Sequence, residues 1–252
     1  MSIKIAAQLY TLREYLQNEE DIRTSLKRVK DIGYDYVQLS GLIKIDAAIL
    51  RSILDENSLT PIITHIPFER LETDYENVVK EHHTLKCPNV AIGVAPEKYR
   101  TKQGYYDFAR IASDMAAKLK KDGLTFSYHN HAFEFKKFDG ETGFEILFKN
   151  SSNDFLAEID TFWITYGGAS PVYWIEKLGD RIVVLHYKDL VISDNDEQLM
   201  AEVGEGNLDW KGIVKATKDA KIACAAVEQD DCYGKNPFDC LKTSLNNLNK
   251  MI

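Results

Sequence analysis

Eight short, β-rich apolar runs, each followed by a longer stretch of helical periodicity, restrict the fold of this chain more than any other feature. The runs are Lys4–Leu9, Tyr36–Leu39, Pro61–His65, Asn89–Gly93, Thr125–His129, Phe155–Asp160, Ile182–His186 and Cys224–Glu228. Helical patterns follow them at Glu19–Asp31, Ala47–Asn57, Tyr75–Leu85, Tyr105–Lys121, Gly143–Asn150, Pro171–Leu178, Asp209–Ala220 and Pro237–Met251. Local punctuation agrees with these boundaries. Gly33 and Gly123 stand where a helix must turn into the next strand, and Ser170-Pro171 and Asn236-Pro237 pair a capping residue with proline at the first turn. Eight strand–helix units in one series, with no Gly/Ser/Pro-rich linker between them, predict an α/β chain folded as a closed (β/α)8 TIM barrel, a single domain over residues 1–252. An open doubly wound sheet is the alternative, but no Gly-x-Gly-x-x-Gly follows the first strand.

Charge and cysteine content narrow the function. With 39 acidic against 31 basic side chains the net charge is -8, the wrong sign for general attraction to nucleic acid or to an anionic membrane. No apolar run approaches the roughly 18 residues of a membrane span, and Met1–Ala6 lacks the features of a signal peptide. The four cysteines, Cys87, Cys224, Cys232 and Cys240, form no Cys-x-x-Cys and are too sparse for a disulfide framework. A reduced, cytoplasmic setting is therefore expected.

In a barrel of this kind the active site lies at the C-terminal strand ends. Strand five closes with Tyr128-His129-Asn130-His131 and runs on to Glu134, strand six with Glu158-Ile159-Asp160, strand seven with His186-Tyr187-Lys188-Asp189, and strand eight with Glu228-Gln229-Asp230. One histidine at a strand end is ordinarily a hydrogen-bonded structural residue. Four consecutive strands ending in His, Asp, His and Glu at one rim imply a cation or substrate that uses them, because such groups are costly to bury unused. Imidazole mixed with carboxylate suits Mn2+, Co2+ or Zn2+ better than Ca2+, and two histidines make Mg2+ less suitable.

The segments Gln8–Arg13, Tyr128–Phe135, Ile159–Trp163, Leu185–Asp189, Val203–Trp210 and Val227–Asp230 together resemble the xylose isomerase-like TIM-barrel superfamily, also called the sugar phosphate isomerase/epimerase family, in its Tyr-His-Asn-His-x-x-Glu-Phe branch. The resemblance covers nearly the whole chain. It implies one divalent metal ion, Mn2+ in the first place, held by a carboxylate from strand five and by Asp160, His186 and Glu228. The strand-five carboxylate of the family stands where this chain has His129, so His129, His131 or a returning Glu134 is the fourth ligand. It also implies a proton abstraction beside a metal-polarised carbonyl of a ketose or keto-sugar, with Glu228, His131 and Glu134 as candidate bases and Lys188 as a candidate donor to the developing enolate. Family epimerases face two glutamates across the substrate carbon, and His129 removes one of them. The branch also admits lyases and dehydratases of keto-sugars or inososes, for which unlike residues on the two sides make chemical sense.

Gln8, Tyr10 and His65 end early strands and are candidate contacts for a sugar or cyclitol, and Trp163, Phe162 and Phe133 for an apolar wall. Each is equally readable as packing. His82 and His83 stand mid-helix beside Glu81 and read as a solvated face. The glycines of Val203–Asn207 read as a tight turn, or as a loop closing over substrate. An apurinic endonuclease-like hydrolase remains a remote alternative, since it needs more ligands and a basic groove. A non-catalytic metabolite sensor on the same barrel is a third.

Overall fold

The computed structural model describes residues 3–252; Met1 and Ser2, the start of the segment read against a signal peptide, lie outside the described residues. Eight parallel strands close into a barrel: β1 Lys4–Gln8, β2 Tyr36–Leu39, β3 Thr60–His65, β4 Asn89–Ile92, β5 Thr125–His129, β6 Phe155–Asp160, β7 Ile182–Tyr187 and β8 Cys224–Val227. Each pairs with its sequence neighbours, and β1 closes on β8 with Lys4 opposite Cys224 and Ala7 opposite Val227. Closure distinguishes this fold from the open sheet considered above.

Eight helices form the outer ring: α1 Glu19–Ile32, α2 Ala47–Glu56, α3 Tyr75–Leu85, α4 Lys102–Lys121, α5 Gly143–Lys149, α6 Pro171–Leu178, α7 Trp210–Asp219 and α8 Pro237–Met251. Their ends follow from the sequence. Asn18 accepts a hydrogen bond from the backbone N–H of Asp21 at the start of α1, which carries Glu19, Glu20 and Asp21 in its first turn, and Gly33 ends it at φ 120°. α4 begins three residues before its expected start because Thr101 caps it through the Gly104 N–H. The main core lies between the barrel wall and the helices, whereas the barrel interior holds a smaller cluster that includes Ala6, Ile63, Ala91, Val184 and Ala226.

Several pieces escaped the eightfold pattern. Short helices at Phe68–Thr73 and Thr161–Tyr166 and two antiparallel hairpins, Lys137–Phe138 with Glu141–Thr142 and Asp189–Ile192 with Gln198–Ala201, stand in the strand-to-helix loops. Each is too short for a periodicity to register. His82 is also corrected: it is buried, its Nδ1–H donates to the Val78 carbonyl (2.7 Å), and the Thr64 hydroxyl donates to its Nε2 (2.7 Å). Among the described residues no helix is long and apolar enough to cross a membrane.

Candidate active site

The strand ends of β5 to β8 bring His129, Asp160, His186 and Glu228 together, with one nitrogen or oxygen of each within 4.8 Å of the others and all four buried. Local structure fixes each group. Asp160 ends β6 and caps the helix Thr161–Tyr166, its Oδ1 accepting the Trp163 N–H (2.8 Å), while its own N–H donates to Asn130 Oδ1 (3.0 Å). Its Oδ2 is thereby left facing His129 Nε2 (3.3 Å) and His186 Nδ1 (3.6 Å). His129 donates from Nδ1 to the Gly93 carbonyl (3.2 Å), because a carbonyl can only accept. His186 Nδ1 lies 2.9 Å from Glu228 Oε2.

Lys188 threads into the same cluster and is only 1% exposed. Its ammonium lies 3.0 Å from Glu228 Oε2, 2.7 Å from Asp230 and 3.6 Å from Asp160. Burial alone would disfavour every one of these charges. Mutual attraction outweighs it. Lys188 and the histidines hold Asp160 and Glu228 far below the usual carboxylate range, and the carboxylates hold Lys188 and His186 protonated. Asp230 goes the other way, pushed up to about 6 by burial and by the neighbouring Glu228.

This donor set fits a divalent cation. Two imidazoles and two carboxylates converge from four strands, and the His129 Nδ1–H bond to Gly93 leaves its Nε2 for a ligand. Of the three candidates for the strand-five position, His129 joins the cluster. His131 stands beside it, its ring 4.9 Å from that of His129 and stacked on Phe133 at 5.6 Å. Burial lowers the His131 pKa to about 3, so its ring is neutral. Glu134 is turned away: the Tyr128 hydroxyl donates to its Oε1 and the His131 N–H to its Oε2 (2.9 Å), and burial pushes it up to about 8.

The remaining candidates are spread around the mouth. Trp163 packs 5.2 Å from His131 and beneath the Lys188 ammonium, extending the wall of Phe133 and Phe162, and its Nε1–H is buried without a partner. Gln8 caps the turn after β1 through Oε1 while its Nε2 is buried and unpaired. Asn130 Nδ2, His131 Nδ1 and Gln229 Oε1 are unpaired too, so five of the seven buried unpartnered side-chain atoms identified among the described residues come from strand-end segments. Tyr10 is 38% exposed and lies under the Arg13 guanidinium. His65 reaches the cluster's underside through Glu158 (2.6 Å).

Sequence reasoning did not single out Glu158, Gln38 or Asp189 for a role. Asp189 organises the glycine loop after β7: its carboxylate accepts from the backbone N–H groups of Gly204, Gly206 and Leu208 and from Trp210 Nε1. A Cβ on Gly206 would lie 2.4 Å from that carboxylate, so the glycine makes room for the Asp189 anchor. The only sequence signal was its place after Lys188 at the end of β7.

Residues 26–229 match the sequence profile described as xylose isomerase-like TIM barrel. No curated protein sequence matches the chain significantly. Among solved structures, a sugar phosphate isomerase/epimerase from Parabacteroides distasonis superposes with a TM-score of 0.83 at 22% identity, covering 99% of this chain and 98% of that one. The probable 3-DHS dehydratase AsbF of Bacillus anthracis gives 0.73 at 15% identity over 98% and 99% of the two chains. The IOLI protein, solved with a binding zinc atom, gives 0.71 at 14% identity over 99% and 98%. At these identities the likeness to the solved structures is one of fold.

Proposed function

The chain belongs to the xylose isomerase-like TIM barrel family, and from that premise we propose that it is a divalent-metal-dependent enzyme isomerising or epimerising a ketose or keto-sugar by removing a proton beside the carbonyl. The observation that carries this reading is the convergence of His129, Asp160, His186 and Glu228 at the C-terminal face of the barrel. These four residues would hold the cation, with Mn2+ favoured over Co2+ or Zn2+. A bound cation supplies polarisation of the substrate carbonyl.

The chain's own groups supply the rest. Glu228 engages His186 and Lys188 through Oε2, and its Oε1, with no protein hydrogen bond among the described residues, is the oxygen that accepts the substrate proton. Lys188, held protonated between Glu228 and Asp230, is placed to donate toward a developing negative oxygen. The unpaired polar atoms of Gln8 and Gln229 bind hydroxyls, and the wall of His131, Phe133, Trp163 and Phe162 excludes water from one side.

A second reading, a keto-sugar or inosose lyase or dehydratase, is favoured by the unlike charge of the carriers. Lys188 is held protonated and Glu228 ionised, a pair suited to protonating a departing oxygen and removing a proton. Incubating candidate ketoses and keto-sugars with Mn2+-loaded protein in D2O separates the two. Deuterium next to the carbonyl in a product of unchanged formula supports isomerisation or epimerisation; a product lighter by water rejects it in favour of the lyase.

A further inference from the structure

Beneath the four-donor cluster lies a second, uncommitted group of side chains. Glu158, fully buried, has its Oε1 2.9 Å from His186 Nε2 and its Oε2 2.6 Å from His65 Nε2. The Gln38 amide lies between the same two rings, its Oε1 2.8 Å from His186 Nε2 and its Nε2 2.9 Å from His65 Nε2. None of these contacts belongs to the proton transfer described above.

The barrel departs from regular pairing at these residues. Val37 pairs with Pro61 but Gln38 with Ile63, so Ile62 is an extra residue in β3. Ala157 pairs with Ile182 but Glu158 with Val184, so Val183 is an extra residue in β7. A one-residue slip exchanges the two faces of a strand for everything downstream, and such bulges re-aim side chains beside active sites. Ile62 stands three positions before His65 and Val183 three before His186. Both slips therefore act on the two imidazoles that Glu158 joins.

We infer that Glu158 is a positioning residue: it accepts the Nε2–H of His186, fixes the ring with Nδ1 toward His129, Asp160 and Glu228, and so sets the strength of cation binding in the site proposed above, on which reading this inference rests. An imidazole that binds a cation through one nitrogen must keep the other protonated, and a carboxylate accepting that proton raises its basicity and locks its orientation. His65 clamps the other oxygen of Glu158, so the carboxylate cannot swing up to become a ligand itself without breaking that bond. The His65 Nε2–H donates to Glu158 Oε2 (2.6 Å), and the His186 Nε2–H is shared between Glu158 Oε1 (2.9 Å) and Gln38 Oε1 (2.8 Å), separations that are those of hydrogen bonds.

The test compares wild type with Glu158→Gln by chelator competition for Zn2+ and Co2+, by nitrogen-15 shifts of the His186 ring in the Zn2+-loaded protein, and by thermal unfolding of the metal-free protein. The expected result is one equivalent bound by wild type, with Nε2 protonated and Nδ1 ligated, and affinity about 10–100-fold weaker in the variant although it still unfolds cooperatively. Unchanged affinity in E158Q, or a wild-type His186 ligated through Nε2, would overturn the inference while leaving the metal site standing. A second equivalent abolished by E158Q would also overturn it, making Glu158 a ligand. A wild type that takes up neither cation would refute the metal reading itself and the role of Glu158 with it. If E158Q does not fold, Glu158→Asp, which keeps the charge but draws the carboxylate back from His186 Nε2, replaces it, with weaker cation binding expected and unchanged affinity counting against the inference.

Discussion

At the C-terminal ends of β5 to β8 stand His129, Asp160, His186 and Glu228, the last just beyond its strand, whereas β1 to β4 end in Gln8, Leu39, His65 and Ile92. One half of the mouth concentrates charge, and the other ends in an amide, an imidazole and two aliphatic side chains. The charged half is self-compensating: Lys188 is buried among Asp160, Glu228 and Asp230, since removing any one of them leaves the rest uncompensated in a poorly solvated site. The neutral half needs no such compensation and can leave Gln8 Nε2 unpaired at the rim. In the function proposed above, the charged side carries the proton transfer, and Gln8 is the neutral side's contact with substrate.

Glu228→Gln strikes the charged half hardest. It should lower kcat by about 10²–10⁴-fold while changing substrate affinity, measured by equilibrium binding, far less. Near-normal turnover would leave Glu228 as a ligand only and dissolve the division between the halves. Lys188→Met tests the compensation itself. Removing the ammonium that three carboxylates share should destabilise the metal-free protein by about 3–5 kcal/mol, and Mn2+ should restore part of the loss in denaturant unfolding. Equal stability with and without Lys188 would break the argument.

A smaller effect is expected from the neutral half. Gln8→Leu removes about one hydrogen bond to substrate, about 0.5–1.5 kcal/mol, and should raise KM by up to about tenfold with cation affinity unchanged. A loss of cation binding instead would show that the two halves are not separable. The smallest effect concerns Glu134, behind the charged half. Burial raises its folded pKa to about 8 from an ordinary value of 4.5, so the folded state holds a proton that the unfolded chain releases. The stability it contributes is full below about pH 4.5 and is lost as pH rises through about 8. Glu134→Gln should flatten the slope of unfolding free energy against pH across that window and leave cation affinity unchanged. A variant that loses the cation would return Glu134 to the ligand set.

Much of this site is legible one strand at a time. An apolar run that stops at a histidine or carboxylate marks a barrel rim, and that rule reaches Asp160, His186 and Glu228 without knowledge of their neighbours. It fails where a side chain's direction decides. Tyr128 and His129 are adjacent and must face opposite sides of β5, so Glu134, bonded to the Tyr128 hydroxyl, is drawn away from the cluster that His129 joins. Glu158 escapes for a different reason. Its partners His65 and His186 lie 93 and 28 positions away on other strands, and the slips that aim the imidazoles at it are properties of strand pairs.

The sequence by itself determined the eight units, their caps and breaks, and the polar residues that end the last four strands, because hydrophobic periodicity and turn chemistry act over a few neighbouring residues. Closure belongs to the tertiary structure alone. Pairing β1 with β8 sets Thr11 against Gln229, 218 residues apart, and the same ring of strands makes four rim residues into one donor set. Which nitrogen of each histidine faces that set, and that Lys188 sits among three carboxylates, follow from distances through space that no local pattern encodes.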